Sequence, residues 1–225
     1  LRALAFVVGL GVIASLLFAL WRIARTLPLL ALLLVAANPT VIRFGDTLRA
    51  YGLGLVLSIL AVVVFWRLAQ RVDRVRIAAA ALVSILAVQC LYHDAVPVLA
   101  LCGGCAAAWA IRRQLREAAV PLAIGAVTAL TLLPYSGALL RAREWNVVFR
   151  APIDLAWLIQ RVRATVEVEG AWLSALWLGL AIAALALCTF RLVRPAVGAE
   201  SPVEQRARAA FFAVSLLLGT SAYAV

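Results

Sequence analysis

Long apolar runs recur along nearly the whole chain, and this feature limits its possible folds more than any other. Apolar residues make up 66% of the 225 residues, and a helix of about 20 apolar residues is long enough to cross a bilayer. Seven runs approach that length, at positions 3–20, 50–66, 77–91, 95–111, 118–135, 171–190 and from 209 onward. A shorter one, 27–42, is broken by Asn38-Pro39. The sequence therefore predicts an all-α fold, a polytopic transmembrane helical bundle of about 7–8 membrane helices.

The ends of the sequence predict a fragment of a longer protein that forms a single transmembrane domain over residues 1–225. There is no Met, Leu1-Arg2 stands directly before an apolar run, and Val225 lies within another. The first run is too long for a cleaved secretory signal and lacks the small-residue pattern of a cleavage site, so we interpret it as a membrane helix.

Arginine supplies all of the basic charge, and its distribution predicts the orientation of the bundle. The formal net charge is +11, but the arginines stand between apolar runs rather than in clusters, which favours membrane topology over nucleic-acid binding. One side holds the larger set: Arg22, Arg25, Arg67, Arg71, Arg74, Arg76, Arg112, Arg113, Arg116, Arg191, Arg194, Arg206 and Arg208. The other side holds Arg43, Arg49 and the five between Ser136 and Gly170. The arginine-rich side should be cytoplasmic, which places Asp46 and Asp94 on the outer side whether or not 27–42 spans.

Cysteines and glycines within the apolar runs predict packing rather than chemistry. The four cysteines do not predict a disulfide framework. Cys102-Gly103-Gly104-Cys105 has the spacing of one ligand pair of a zinc site, but the sequence has no second pair. Glycines in these runs predict close approach between helices: Gly52, Gly54, Gly103, Gly104 and Gly125.

The connector from Asn38 to Tyr51 holds the first candidate site. It places the Asp46 carboxylate and the guanidiniums of Arg43 and Arg49 where a helix should leave the membrane. In a chain this apolar, a charged cluster at the membrane edge is where chemistry is expected first. Asp46 can also cap the helix that follows, a role worth about 1 kcal/mol. Both interpretations are open, although capping alone does not require Arg49 and Tyr51 beside it.

The turn Tyr92-His93-Asp94 is the second outer group and contains the only His. It would hold an imidazole and a carboxylate beside Asp46 if both connectors line one cavity. Alternatively, Asp94 caps the helix from Ala95 onward and His93 only lies at the interface.

Two further connectors predict local structure. The long outer connector, Ser136 to Gly170, contains apolar residues at helical spacing from Pro152 to Arg163 together with Trp157, which predicts an amphipathic interfacial helix. On the inner side, Ser201-Pro202-Val203-Glu204 has the pattern of a capping box with Pro at the first helical position.

Several short motifs, taken in chain order, resemble bacterial membrane glycosyltransferases of the GT-C fold, in the protein O-mannosyltransferase and aminoarabinose transferase branch. These motifs are Trp21-Arg22-Ile23-Ala24-Arg25, a short helix ending Ala37-Asn38-Pro39, Arg43-Phe44-Gly45-Asp46-Thr47-Leu48-Arg49-Ala50-Tyr51, and Leu91-Tyr92-His93-Asp94. The resemblance implies a polyprenyl-phosphate sugar donor, transfer on the outer face of the bacterial inner membrane, and a principal catalytic Asp in an outer loop that precedes Leu1. Asp46 matches a second acidic residue of the family and His93 matches a His near the outer end of a later helix, whereas Asp94 is less typical.

The chemistry of sugar transfer assigns provisional roles to these residues. A base takes the proton of the acceptor and a cation stabilises the charge that develops on the leaving phosphate. The catalytic candidates are Asp46, His93 and Asp94, and the candidates for binding the lipid phosphate are Arg43, Arg49, Tyr51 and Tyr92. Asp46 would orient the acceptor or hold a divalent metal. The expected partners are the lipid-linked donor, membrane lipids and an acceptor of unknown identity, with no nucleic acid.

Two other classes of function stay open. A transporter or lipid flippase would need a polar path through the bilayer and often has repeated halves, yet the sequence has no repeat. In a membrane scaffold without chemistry, helix capping would explain every outer acid.

Overall fold

A computed structural model describes residues 2–24, 51–137, 171–194 and 201–222, and these residues form helices and short turns without any strand. The helices are α1 (Arg2–Ala24), α2 (Tyr51–Gln70), α3 (Arg74–Cys90), α4 (Ala95–Ile111), α5 (Leu115–Leu130), α6 (Ala171–Val193) and α7 (Pro202–Ala222). Two 3₁₀ turns, Tyr92–Asp94 and Leu133–Tyr135, adjoin α4 and α5. The all-α prediction is confirmed for the described residues.

Four stretches of the described residues are long and apolar enough to span a membrane: Phe6–Ile23, Tyr51–Gln70, Tyr92–Ile111 and Leu115–Tyr135. The apolar part of α6, Leu178–Val193, is shorter. These helices make the chain an integral membrane protein. The predicted count of seven or eight spans is not reached among the described residues, and the segments 27–42 and 152–163, for which we predicted a short span and an interfacial helix, lie outside them.

The core is formed where α2, α4 and α7 meet. Phe65 and Leu68 of α2, Cys102 and Cys105 of α4, and Phe211 of α7 are fully buried. Ring contacts extend this core, since Trp66 lies 5.5 Å from Phe211 and 5.1 Å from Phe212 between ring centroids.

Glycine permits a close helix contact in this core, between α4 and α7. A Cβ on Gly104 would lie 2.5 Å from the carbonyl oxygen of Phe211, and a Cβ on Gly103 would lie 2.5 Å from Leu218 Cδ1. At Gly104 only a residue without a side chain fits so close to a neighbouring backbone, whereas the atom facing Gly103 is the end of a leucine side chain. The predicted packing role of this glycine pair is confirmed.

From α2 to α5 the consecutive helices run antiparallel, so the connectors of this part of the chain alternate between two ends of the bundle. At the arginine-rich end, formed by the 71–73 and 112–114 connectors and the start of α7, Trp109 Nε1 donates to the carbonyl of Leu68 at 3.2 Å. At the opposite end, formed by the start of α2, the Tyr92–Asp94 turn and the end of α5, Gln89 Nε2 donates to the carbonyl and the hydroxyl of Thr131, both at 3.1 Å. These contacts group the connectors at two ends in the way that the arginine count assumed.

Candidate functional site

Asp94 lies at the opposite end in an unusual position for a carboxylate. The Asp94 amide closes the 3₁₀ turn by donating to Leu91 O at 2.8 Å, and α4 then starts at Ala95 with Pro97 in its first turn, where no intrahelical amide donor is needed. This short turn directs the Asp94 side chain inward rather than toward solvent. As a result only 6% of the residue is exposed.

The capping interpretation of Asp94 is wrong. An N-cap residue normally has extended backbone dihedrals, from which its side chain reaches the amides of the first helical turn. Asp94 has φ −68° and ψ −8°, inside the helical region, and its side chain makes no capping hydrogen bond. Asp73, before α3, shows the contrast, since it has φ −145° and ψ 163° and accepts from the amide of Arg76 at 2.9 Å.

The Asp94 carboxylate instead packs against the first turns of α2. A Cβ on Gly54 would lie 2.9 Å from Asp94 Oδ2, so the absence of a side chain at Gly54 makes room for the carboxylate. The Ser58 hydroxyl, one turn further along α2, interacts with the carboxyl group. Among the described residues, however, neither Ser58 Oγ nor Asp94 Oδ2 has a partner with hydrogen-bond geometry. A buried polar atom without a partner normally costs about 1–3 kcal/mol, and such an atom needs an explanation.

The other described candidates lie around this carboxylate on the surface. The rings of Tyr92 and His93 have their centroids 3.9 Å apart, and both side chains are exposed. Tyr51 is also exposed and opens α2, one turn before Gly54. The end of the Asn38–Tyr51 connector and the Tyr92–Asp94 turn are thus neighbours in space, whereas Asp46, Arg43 and Arg49 lie outside the described residues.

A metal site is not formed by the described residues, among which no three His, Cys, Asp or Glu side chains cluster. Cys102 and Cys105 are buried in the core, where a Cβ on Gly125 of α5 would lie 3.2 Å from Cys102 Sγ. They therefore pack between helices. The suggested metal role of Asp46 is untested because that residue is not described.

The arginine-rich end holds a polar cluster that the sequence did not reveal. Arg112 donates through Nε and Nη2 to the two carboxylate oxygens of Glu204, at 2.9 and 2.6 Å, and through Nη1 to Ala69 O at 2.6 Å. Its guanidinium also lies 4.7 Å from the centre of the Trp109 ring. These contacts join α4, α2 and α7. A cleft of about 650 Å³ beside the pair is lined by charges of both signs that include Arg71 and Glu117, so we assign this cluster to packing rather than to chemistry.

The predicted capping box before α7 is half confirmed. Ser201 Oγ accepts from the Glu204 amide at 3.3 Å and α7 begins at Pro202. A complete box also needs the Glu204 carboxylate to return to the Ser201 amide, but Arg112 binds that carboxylate instead.

Comparison of the chain with models of protein families, with curated proteins and with solved structures found no match.

Proposed function

We propose that this chain is part of a membrane glycosyltransferase that transfers a sugar from a polyprenyl-phosphate donor to an acceptor on the outer face of a bacterial inner membrane. The observation that carries the proposal is the buried Asp94 carboxylate, with an unpartnered oxygen beside Gly54. A transferase that acts on a lipid-borne donor needs ionisable groups at the membrane edge, where the phosphate of the donor lies. The resemblance supports the same assignment.

In this proposal the carboxylates and the cations have separate tasks. Asp46 takes part in orienting or deprotonating the acceptor, and Asp94 contributes the second carboxylate from the neighbouring turn. Arg43, Arg49 and His93 neutralise the charge that develops on the leaving polyprenyl phosphate. Tyr51 and Tyr92 are exposed beside Asp94, where amphipathic rings favour the membrane interface, and they contact the donor near its phosphate.

Sugar transfer by the full-length protein in membrane vesicles tests this function, with labelled polyprenyl-phosphate mannose and polyprenyl-phosphate aminoarabinose as donors. Asp46→Asn and Asp94→Asn should each lower the transfer rate by about 100-fold or more, the usual size of an acid–base contribution. The amide is nearly isosteric, so yield and helical circular dichroism should be unchanged.

Asp73→Asn is the matched control. Asp73 is an aspartate at the arginine-rich end that caps α3 and pairs with Arg76 at 3.1 Å, and Asn caps helices as well as Asp does. This variant should retain the wild-type transfer rate. Undiminished transfer by both Asp46→Asn and Asp94→Asn would refute the assigned roles, and a wild-type protein inactive with every donor would favour a non-catalytic membrane protein.

A further inference from the structure

A crevice at the arginine-rich end lies between α6 and α7 and is separate from the Asp94 region. Its volume is about 380 Å³, and it is lined by Leu187, Cys188, Arg191, Gln205, Arg208, Ala209 and Phe212. The α7 residues recur at helical spacing, so one face of that helix forms one wall. The last turns of α6 form the other wall.

Two guanidiniums give the crevice its charge. Arg191 stands in the last turn of α6, and Arg208 lies on α7, with its guanidinium 5.7 Å from the centre of the Trp66 ring. None of the seven lining residues is acidic. The nearest acid along α7, Glu204, lies one turn before Arg208, and its carboxylate accepts two hydrogen bonds from Arg112. The charge of Arg208 also acts on Glu204, but the lining itself carries two positive charges and no negative one, so it complements an anion. The planar guanidinium of arginine can bind two oxygens of a phosphate at once.

The apolar part of the lining distinguishes a lipid from a soluble anion. Leu187 and Phe212 lie further from the arginine-rich end than the two arginines, because α6 ends and α7 begins at that end. A phospholipid has this arrangement, with its phosphate at the membrane edge and its acyl chains beneath. The described side chains of α6 are mostly exposed, so the crevice can be reached from the surrounding lipid.

We propose that this crevice binds the phosphate headgroup of an anionic phospholipid between Arg191 and Arg208, with the acyl chains of the lipid along Leu187 and Phe212. Basic pockets between membrane helices recognise anionic headgroups in this way, and each guanidinium adds to the affinity. The inference is independent of the proposed transferase activity, since it concerns the other end of the bundle.

Lipid binding is measured on the full-length protein in neutral detergent micelles, with native mass spectrometry to count retained lipids. Phosphatidylglycerol should be retained at least about tenfold more strongly than phosphatidylcholine. Alkylation of Cys188, resolved from the other cysteines by peptide mass, supplies a readout local to the crevice and should slow when phosphatidylglycerol binds. Glycerol phosphate at the same concentration should not slow it, because it lacks acyl chains. Equal protection by glycerol phosphate would mean that the crevice binds a soluble phosphate rather than a lipid, which would overturn the proposal.

Charge variants then locate the site. Arg191→Gln with Arg208→Gln should lower retention of phosphatidylglycerol by about tenfold or more. Arg191→Lys with Arg208→Lys should lower it less, because the charge is preserved although the bidentate geometry is lost. Arg194→Gln with Arg206→Gln removes the same charge from the same helices outside the crevice and should change retention less than about twofold. Equal losses from both Gln pairs, or equal retention of phosphatidylglycerol and phosphatidylcholine by the wild type, would refute the site. If the Arg208 variants do not fold, Arg191→Gln against Arg194→Gln makes the same distinction.

Discussion

Two buried polar groups at opposite ends of the bundle differ in how their hydrogen-bonding capacity is met. At the arginine-rich end the Arg112 side chain is 12% exposed, and its guanidinium has Glu204 and Ala69 as acceptors. At the opposite end Asp94 is 6% exposed, and its Oδ2 has no partner with hydrogen-bond geometry among the described residues, although the Ser58 hydroxyl interacts with the carboxyl group. Both groups lose hydration, but only the first recovers the lost interactions within the protein.

This difference distinguishes a polar group with a structural role from one with a functional role. A fully paired buried group fixes how helices pack, and substituting it should mainly reduce stability. An unpaired one lowers stability as it stands, and such a cost usually persists where it serves a binding or catalytic role. We therefore expect substitutions at the arginine-rich end to affect stability and substitutions at the Asp94 end to affect activity.

The largest expected effect on stability comes from Arg112→Gln. This change removes the bidentate pair with Glu204, the hydrogen bond to Ala69 O and the contact with the Trp109 ring. It should lower the free energy of unfolding by about 2 kcal/mol, a figure reduced because the Glu204 side chain is about half exposed and solvent screens it. Titration with sodium dodecyl sulfate in mixed micelles measures the loss, and the transfer rate should stay unchanged.

Arg113→Gln is the control for this prediction, since Arg113 is the exposed neighbour on the same connector. An equal loss of stability from both variants would mean that the charge of the connector matters rather than the contacts of Arg112. A large loss of transfer activity with Arg112→Gln would instead contradict the division between the two ends.

A smaller effect, on activity, is expected from Gly54→Ala at the other end. The new methyl group would meet Asp94 Oδ2 at 2.9 Å and displace the carboxylate. We expect the transfer rate to fall by about tenfold, or about 1.4 kcal/mol in activation free energy, because displaced catalytic groups lose orientation. Rates in vesicles normalised to the amount of folded protein measure the change.

Gly9→Ala is the matched control for Gly54→Ala, because a Cβ on Gly9 meets no atom within 4 Å and Gly9 also lies inside a membrane helix. Unchanged transfer by Gly54→Ala would show that the position of the Asp94 carboxylate is unimportant, which would weaken the functional interpretation of the unpaired oxygen.

Local patterns predicted the helices well because each apolar run carries its own boundary signals. The predicted run 95–111 coincides with α4, and the Ser201-Pro202 signal predicts the start of α7. The predicted segment 77–91 differs by a few residues from α3, because Asp73 caps that helix at an earlier position. The glycine pair of α4 was likewise identified from its type alone.

Contacts between distant residues could not be predicted in the same way. Arg112 and Glu204 are 92 positions apart, and nothing in a single sequence pairs one arginine with one of ten acids. Capping by Asp94 was excluded only by the structure, since Asp73 and Asp94 both directly precede helices and differ in φ and ψ and in whether the side chain accepts a capping hydrogen bond. The position of Asp94 against Gly54 likewise depends on how α2 packs beside the turn.

The smallest expected effect is a dependence of stability on pH that originates at the arginine-rich end. The hydrogen bonds from Arg112 hold the pKa of Glu204 below its ordinary value of 4.5, partial burial opposes this, and the charges of Arg112 and Arg208 lower the pKa further. Because the unfolded chain binds this proton more readily, ionised Glu204 contributes stability above its ordinary pKa, and that contribution is lost as the pH falls through the lowered value.

The wild type should therefore lose more stability than Glu204→Gln when the pH is lowered from about 7 to about 3. The free energies of unfolding of the two proteins should converge in acid. The difference should be small because the Glu204 side chain is 47% exposed. Glu117→Gln removes a carboxylate from the same end that forms no ion pair with a described residue, and it should leave the pH profile of the wild type unchanged. If the wild type and Glu204→Gln instead keep a constant separation at every pH, Glu204 stabilises α7 only through its neutral contacts, and the ion pair is not what distinguishes the two ends.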